Sequence, residues 1–250
     1  KSLARFDRTN AGSRVMNSDQ SHPDIDSLWE YGDPAASAAR FLDALDAARG
    51  DARLELLTQV ARTYSLRRRF AEAHATLDDV EKQLPGAGAR PHVRYLLERG
   101  RTFNSSGGRE QARALFAAAW EQAQAAGLEG LAVDAAHMVA ITYAGSPESV
   151  AWNQRGLAMA RQSQDPKARG LIPAMLNNAA WDLHDMGRYD EALLLFQEAQ
   201  AEWTARGKPE RIHTGVISTQ HTEDISYNKL RKQIIEQVIM PVLPKKLGDK

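Results

Sequence analysis

The chain has 250 residues, no cysteine, and 32 basic residues balanced by 32 acidic ones. That length allows one or two domains with cores of their own, and the missing cysteine excludes disulfides, thiol catalysis and cysteine zinc sites. Zero net charge gives no bulk attraction to nucleic acid or an anionic membrane, no apolar run approaches the roughly 18–20 residues of a membrane helix, and no signal peptide is visible, which together fit a cytoplasmic protein.

Residues 1–33 are polar and punctuated by Gly12, Pro23 and Gly32, which predicts a disordered or irregular segment. Met16 would serve as a natural start. From Asp33-Pro34 the pattern turns helical, with Asp as N-cap and Pro in the first turn. The spacing predicts helices over 34–48, 52–66, 70–84, 91–104, 108–126, 129–144, 148–163, 167–186 and 189–206. Breaks fall at Gly50-Asp51, Pro85-Gly86, Gly107-Gly108, Gly127, Ser146-Pro147, Asp165-Pro166 and Gly187.

The composition changes near Arg211. Residues 1–210 hold 40 alanines and residues 211–250 hold none. Arginine outnumbers lysine 21 to 4 before that point, and lysine leads 5 to 2 after it. Isoleucine rises from 3 in the first 210 residues to 6 in the last 40. Two sequences of different origin meet here. Beyond the seam, Val216, Ile217 and Thr219 are β-branched and predict a strand, and Asp224 or Ser226 caps a predicted helix over about 227–239 that Pro241 stops.

The helical stretch repeats at a step of about 34–40 residues, as stacked helix pairs do. The sharpest unit runs from Asn177 through Ala180, Trp181, Gly187, Tyr189, Ala192 and Phe196 to Ala199. The same frame is filled by Ala61, Tyr64, Phe70, Ala73, Leu77 and Val80, and again by Gly100, Phe103, Gly107, Ala112, Phe116 and Ala119. These units resemble tetratricopeptide repeats of a bacterial type. The resemblance implies an all-α, right-handed solenoid over 34–210 that binds a protein or peptide in its concave groove. It also implies that Trp181, with Asn177, His184 and Asp185, faces that groove, and that Arg62 and Arg101 hold the matching position in earlier repeats.

Residues 211–244 carry Ile217-Ser218-Thr219-Gln220-His221, Asp224-Ile225-Ser226, Glu236-Gln237-Val238-Ile239 and Pro241-Val242-Leu243-Pro244. This combination resembles the central domain of S-adenosylmethionine synthetase. That family's phosphate and methionine motifs have no counterpart in the chain, so the resemblance brings no catalytic residue with it. Ser21-His22-Pro23-Asp24 echoes one motif without its flanking Gly and Lys.

His137, His184, His213 and His221 lack the i, i+4 spacing of a helical metal pair. Arg67-Arg68-Arg69 reads as the solvated end of a helix, and Gly107-Gly108 as a turn with no phosphate-loop Lys after it. No catalytic residue, metal or cofactor follows from these patterns. The expectation is a non-catalytic scaffold with a peptide groove. The alternative is a truncated or chimeric S-adenosylmethionine synthetase, acting on ATP and methionine but inactive for want of their motifs.

Overall fold

A computed structural model describes residues 24–207. The expected strand and helix of the tail lie outside the described residues. Within them the chain is all-helical: α1 (Pro34–Leu45), α2 (Gly50–Leu66), α3 (Phe70–Glu81), α4 (Ala89–Ser106), α5 (Arg109–Ala125), α6 (Glu129–Thr142), α7 (Pro147–Gln162), α8 (Pro166–Gly170), α9 (Ile172–Asp185) and α10 (Tyr189–Ala205), after a short 3-10 helix at Ile25–Leu28.

Local chemistry sets the helix starts. Asp33 accepts from the amides of Ala35 and Ala36, Ser146 from Ser149, and Asp165 from Lys167, each ahead of a proline in the first turn. A glycine in the left-handed region ends α4 at Gly107 (φ 98°) and α9 at Gly187 (φ 75°). In both, the next amide closes the turn onto the carbonyl five residues back, Gly108 on Phe103 and Arg188 on Leu183, each at 2.8 Å. Arg68 (φ 60°) occupies the same place after α2, and Arg69 closes the turn on Tyr64 at 2.9 Å. The triple arginine therefore holds a tight, left-handed turn as well as a helix end.

Two sequence expectations change. The stretch 167–186 is two helices, α8 and α9, meeting at Leu171. Pro173 is the cause: it lacks an amide, and its ring collides with the carbonyl four residues earlier in a continuous helix. The second change is at the N-terminus. Residues 25–33 are not merely irregular, because Ile25 and Trp29 are buried with Phe41, Leu45, Leu56 and Val60.

Packing follows the repeat frame. Ala73, Leu77 and Val80 on α3, Ala112, Phe116 and Ala119 on α5, and Ala192, Phe196 and Ala199 on α10 are each no more than 1% exposed. Their small members let the paired helix approach, and the large ones fill the space between pairs. The principal contacts join sequence neighbours: α2 with α3 and α4, α4 with α5, α5 with α6, α6 with α7 and α8, α7 with α9, and α9 with α10. Such one-dimensional stacking is a solenoid. Polar bonds carry the same period. The Gly88 amide donates to Asp51, Gly130 to Asp165 and Gly145 to Asp182, across 37, 35 and 37 residues. Among the described residues no helix is long and apolar enough to cross a membrane.

Candidate binding groove

Helix α2 packs on α4 and α4 on α6, and Asn178 of α9 reaches His137 of α6. Each of these helices has a buried small residue, namely Ala61, Gly100, Ala136 and Ala180. The residue after each one is Arg62, Arg101, His137 and Trp181. Two expected groove arginines and the expected tryptophan thus share one structural position, and His137 completes the series.

At the N-terminal end these helices build a buried polar ladder. Residues at i, i+4 and i+7 share one helix face, which groups Glu55, Gln59 and Arg62 on α2 and Arg94, Glu98 and Arg101 on α4. Trp29 Nε1 donates to Gln59 Oε1 at 3.1 Å, and Gln59 Nε2 reaches Glu98 Oε1 at 3.4 Å. The Glu98 carboxylate also accepts from Arg62 at 3.3 Å and Arg101 at 2.7 Å. Arg101 then grips both oxygens of Asp134 on α6, at 2.5 and 2.6 Å. Burial pushes Asp134 up, but the Arg101 charge and hydrogen bonds outweigh it and hold the carboxyl below its usual range. Burial likewise opposes the Arg101 charge, and Asp134 and Glu98 more than offset it.

The ladder borders a cavity of about 250 Å³ that Arg62, Arg94, Arg101 and Asp134 help to wall. Trp29 and Tyr31, stacked 5.3 Å apart, close one side. The Arg62 guanidinium lies 5.5 Å over the Trp29 ring. Lys167 on α8 pairs with Asp26 at 3.0 Å and tethers the N-terminal segment across the rim.

Trp181 belongs to a second cavity, of about 340 Å³, with Ser149, Asn178, Asp182 and Asp185. It meets Phe196 edge-on at 5.1 Å, so its ring is half core and half groove. Asp182 accepts from Ser149 Oγ at 2.5 Å and from the Gly145 amide at 2.7 Å. Burial still pushes its pKa up, with Asp185 adding to the rise. Asn178 Nδ2 lies 2.9 Å from His137 Nε2 and joins the second cavity to the ladder's last helix.

The expected groove residues divide between two cavities. Arg62 and Arg101 line the first, Trp181 and Asp185 the second, and Asn177 and His184 line neither. His184 packs against Tyr189, 5.4 Å between rings, and contacts Asp185 Oδ1 at 3.1 Å. Sequence reasoning missed Gln59, Arg94, Asp134 and Asn178. The i, i+4, i+7 spacing of charged residues on α2 and α4 was the available signal. No group of three or more His, Asp or Glu residues able to hold a metal occurs among the described residues. The arrangement presents polar and charged groups able to recognise a polar ligand.

The comparisons with known proteins concern the C-terminal part. The family described as S-adenosylmethionine synthetase, central domain, matches residues 198–250. The chain is 54% identical over 41 residues to an S-adenosylmethionine synthase of a Nitratiruptor species, covering 16% of this chain and 11% of that protein. It is 51% identical over 43 residues to the enzyme of Desulfosudis oleivorans, covering 17% and 11%. To the enzyme of Wolinella succinogenes it is 33% identical over 100 residues, covering 38% and 26%. The chain spans between 11% and 26% of the length of these curated relatives. The family match starts at residue 198, inside α10, so the synthetase-like segment and the last helix of the array share sequence. The chain carries, behind a helical solenoid, a segment related to the central domain of S-adenosylmethionine synthetase.

Proposed function

We infer that this is a joined protein: a synthetase-related segment that makes no S-adenosylmethionine by itself, behind a tetratricopeptide-like array that binds an extended peptide. The first half of this reading is supported by the match over 198–250, together with the lack of ATP and methionine motifs elsewhere in the sequence. Without glycine-rich loops nothing cradles a triphosphate.

The array's role is supported by one observation above others. Equivalent positions on α2, α4, α6 and α9 carry Arg62, Arg101, His137 and Trp181, each directly after a buried small residue. Solenoids use their concave faces to hold extended chains, and half-buried aromatic side chains serve as anchors there. Trp181→Ala is expected to weaken peptide binding by about 2 kcal/mol or more. Calorimetric titration of a peptide selected for binding to the purified chain checks this; equal affinity in the variant removes Trp181 from the site.

A further inference from the structure

We propose that the cavity beside Trp181, between α9 and the turn from α6 to α7, takes one cationic side chain, lysine or arginine, of the ligand. The proposal rests on reading the array as a binding module and names a group that the module selects.

A missing countercharge carries the argument. Among the described residues the buried carboxylates are Glu55, Glu98 and Asp182. Glu55 pairs with Arg90 at 2.9 Å, and Glu98 with Arg62 and Arg101 at 3.3 and 2.7 Å. Asp182, only 6% exposed, meets no cation of the described chain. Its partners are the Ser149 hydroxyl and the Gly145 amide, both neutral. Burial pushes its pKa up, and the neighbouring Asp185 pushes it further. A carboxylate withdrawn from water is costly unless an opposite charge meets it, and Asp182 lines the cavity where one can.

The rest of the wall leaves that charge standing. It holds Asp182 and Asp185 and neither lysine nor arginine. His184, 3.1 Å from Asp185, is charged only when protonated. Burial holds the imidazole of His137, the partner of Asn178, low enough to be neutral at neutral pH. Arg113 reaches the end of α6 but donates to the Thr142 hydroxyl and carbonyl and lies 3.8 Å over the Tyr143 ring. Even with His184 protonated, one negative charge is left over. Trp181 adds an independent attraction. The chain covers two other tryptophans with its own arginines, Arg62 at 5.5 Å over Trp29 and Arg155 at 4.7 Å over Trp152. Trp181 is half-buried and lines the cavity, and among the described residues it has no cation over its ring. A tryptophan face draws ammonium and guanidinium groups. At about 340 Å³ the cavity lies near the bottom of the ordinary range for ligand sites and suits one long side chain.

The test uses the full chain and two small probes: N-acetyl-lysine methylamide and its norleucine counterpart, which keeps the methylenes and lacks the ammonium. Binding is read by NMR from the Trp181 indole signal, assigned with Trp181→Phe. The lysine compound is expected to bind roughly tenfold or more tightly than the norleucine compound. Asp185→Asn is expected to cut that preference several-fold; Asp185 is 62% exposed, so its loss spares the core. If Asp185→Asn lowers the helical signal, the comparison on the unaltered chain still decides. Equal binding of the two compounds, or no shift of the Trp181 signal by either, overturns the cation site; a peptide selected on the chain that still binds leaves the groove standing. Lysine-selective binding that depends on Asp185, with no selected peptide binding, supports the cation site and overturns the groove. A preference unchanged in Asp185→Asn, or calcium or magnesium displacing the lysine compound at equal concentration, overturns the proposal.

Discussion

At the scale of single residues, the chain keeps several costly placements whose effects can be measured. Arg68 sits in the left-handed region where Gly107 and Gly187 stand in the other pairs. A side chain there costs about 1–2 kcal/mol, and the Arg68 guanidinium over Phe70, at 5.7 Å, offsets only part of that. Arg68→Gly is therefore expected to stabilise the array by roughly 0.5–1 kcal/mol in urea unfolding; a loss would show that the arginine side chain matters more than its backbone. His137 offers a pH test. Burial pushes its imidazole below the ordinary range, Asp134 pulls it back, and Arg101 pushes it down again. His74 is lowered too, by burial and Arg99 against Asp78. A histidine with a depressed folded pKa leaves the unfolded state binding more protons, so its stability contribution is complete above the ordinary value of about 6.5 and shrinks as pH falls below it. His137→Gln is expected to flatten that part of the stability curve, and the His137 ring signals are expected to titrate below pH 6.5 by NMR. None of this was legible in the sequence. A pattern of residue types carries no φ angle, and Arg94 reads as one more solvated cation until α2 and α4 are seen to enclose it. Asn177 and Asn178 show the same limit: neighbours on a helix point about 100° apart, and only Asn178 reaches His137.

At the scale of elements, most of the fold was legible because the array repeats. Small residues at Ala112 and Ala192, followed by Phe116 and Phe196, announce the buried stripe of α5 and α10, and both stripes are buried as the spacing requires. Asp-Pro and Ser-Pro pairs announce helix starts. The break at Leu171 was missed because Ile172 and Pro173 lie within an otherwise continuous apolar period. Two substitutions test the packing. Phe196→Ala removes a side chain that is 1% exposed and should cost roughly 3–5 kcal/mol. Because stacked pairs stabilise only their neighbours, hydrogen exchange should quicken in α9 and α10 before it does in α2 and α4. Gly100→Ala opposes two effects. Alanine gains about 1 kcal/mol of helix propensity, but its Cβ would lie 2.5–3.0 Å from the Phe116 ring, which is locked in the core. The clash should win, with a net loss of about 1–3 kcal/mol in thermal unfolding; an unchanged or raised melting temperature would mean that the α4–α5 contact is loose.

At the scale of the whole molecule, two kinds of sequence are joined, and the relatedness of the second begins inside the last helix of the first. The solenoid carries bonds spaced one repeat apart, from Gly88–Asp51 to Gly145–Asp182, and its polar ladder joins α2, α4 and α6. Composition changes near residue 211, beyond which alanine is absent, whereas the family match reaches back to residue 198, into α10. Composition places the change of character, whereas similarity places the start of relatedness, and α10 satisfies both because its buried face, Ala192, Phe196 and Ala199, is fixed by the array. The proposed division of labour between array and segment implies that the chain makes no S-adenosylmethionine by itself. The measurement that tests it is formation of S-adenosylmethionine by the purified full chain supplied with ATP, methionine and magnesium, followed by chromatography. No product above the protein-free blank is expected. Product that accumulates in proportion to the chain, and that persists through purification, would contradict it and make the synthetase-like segment the working part of the molecule.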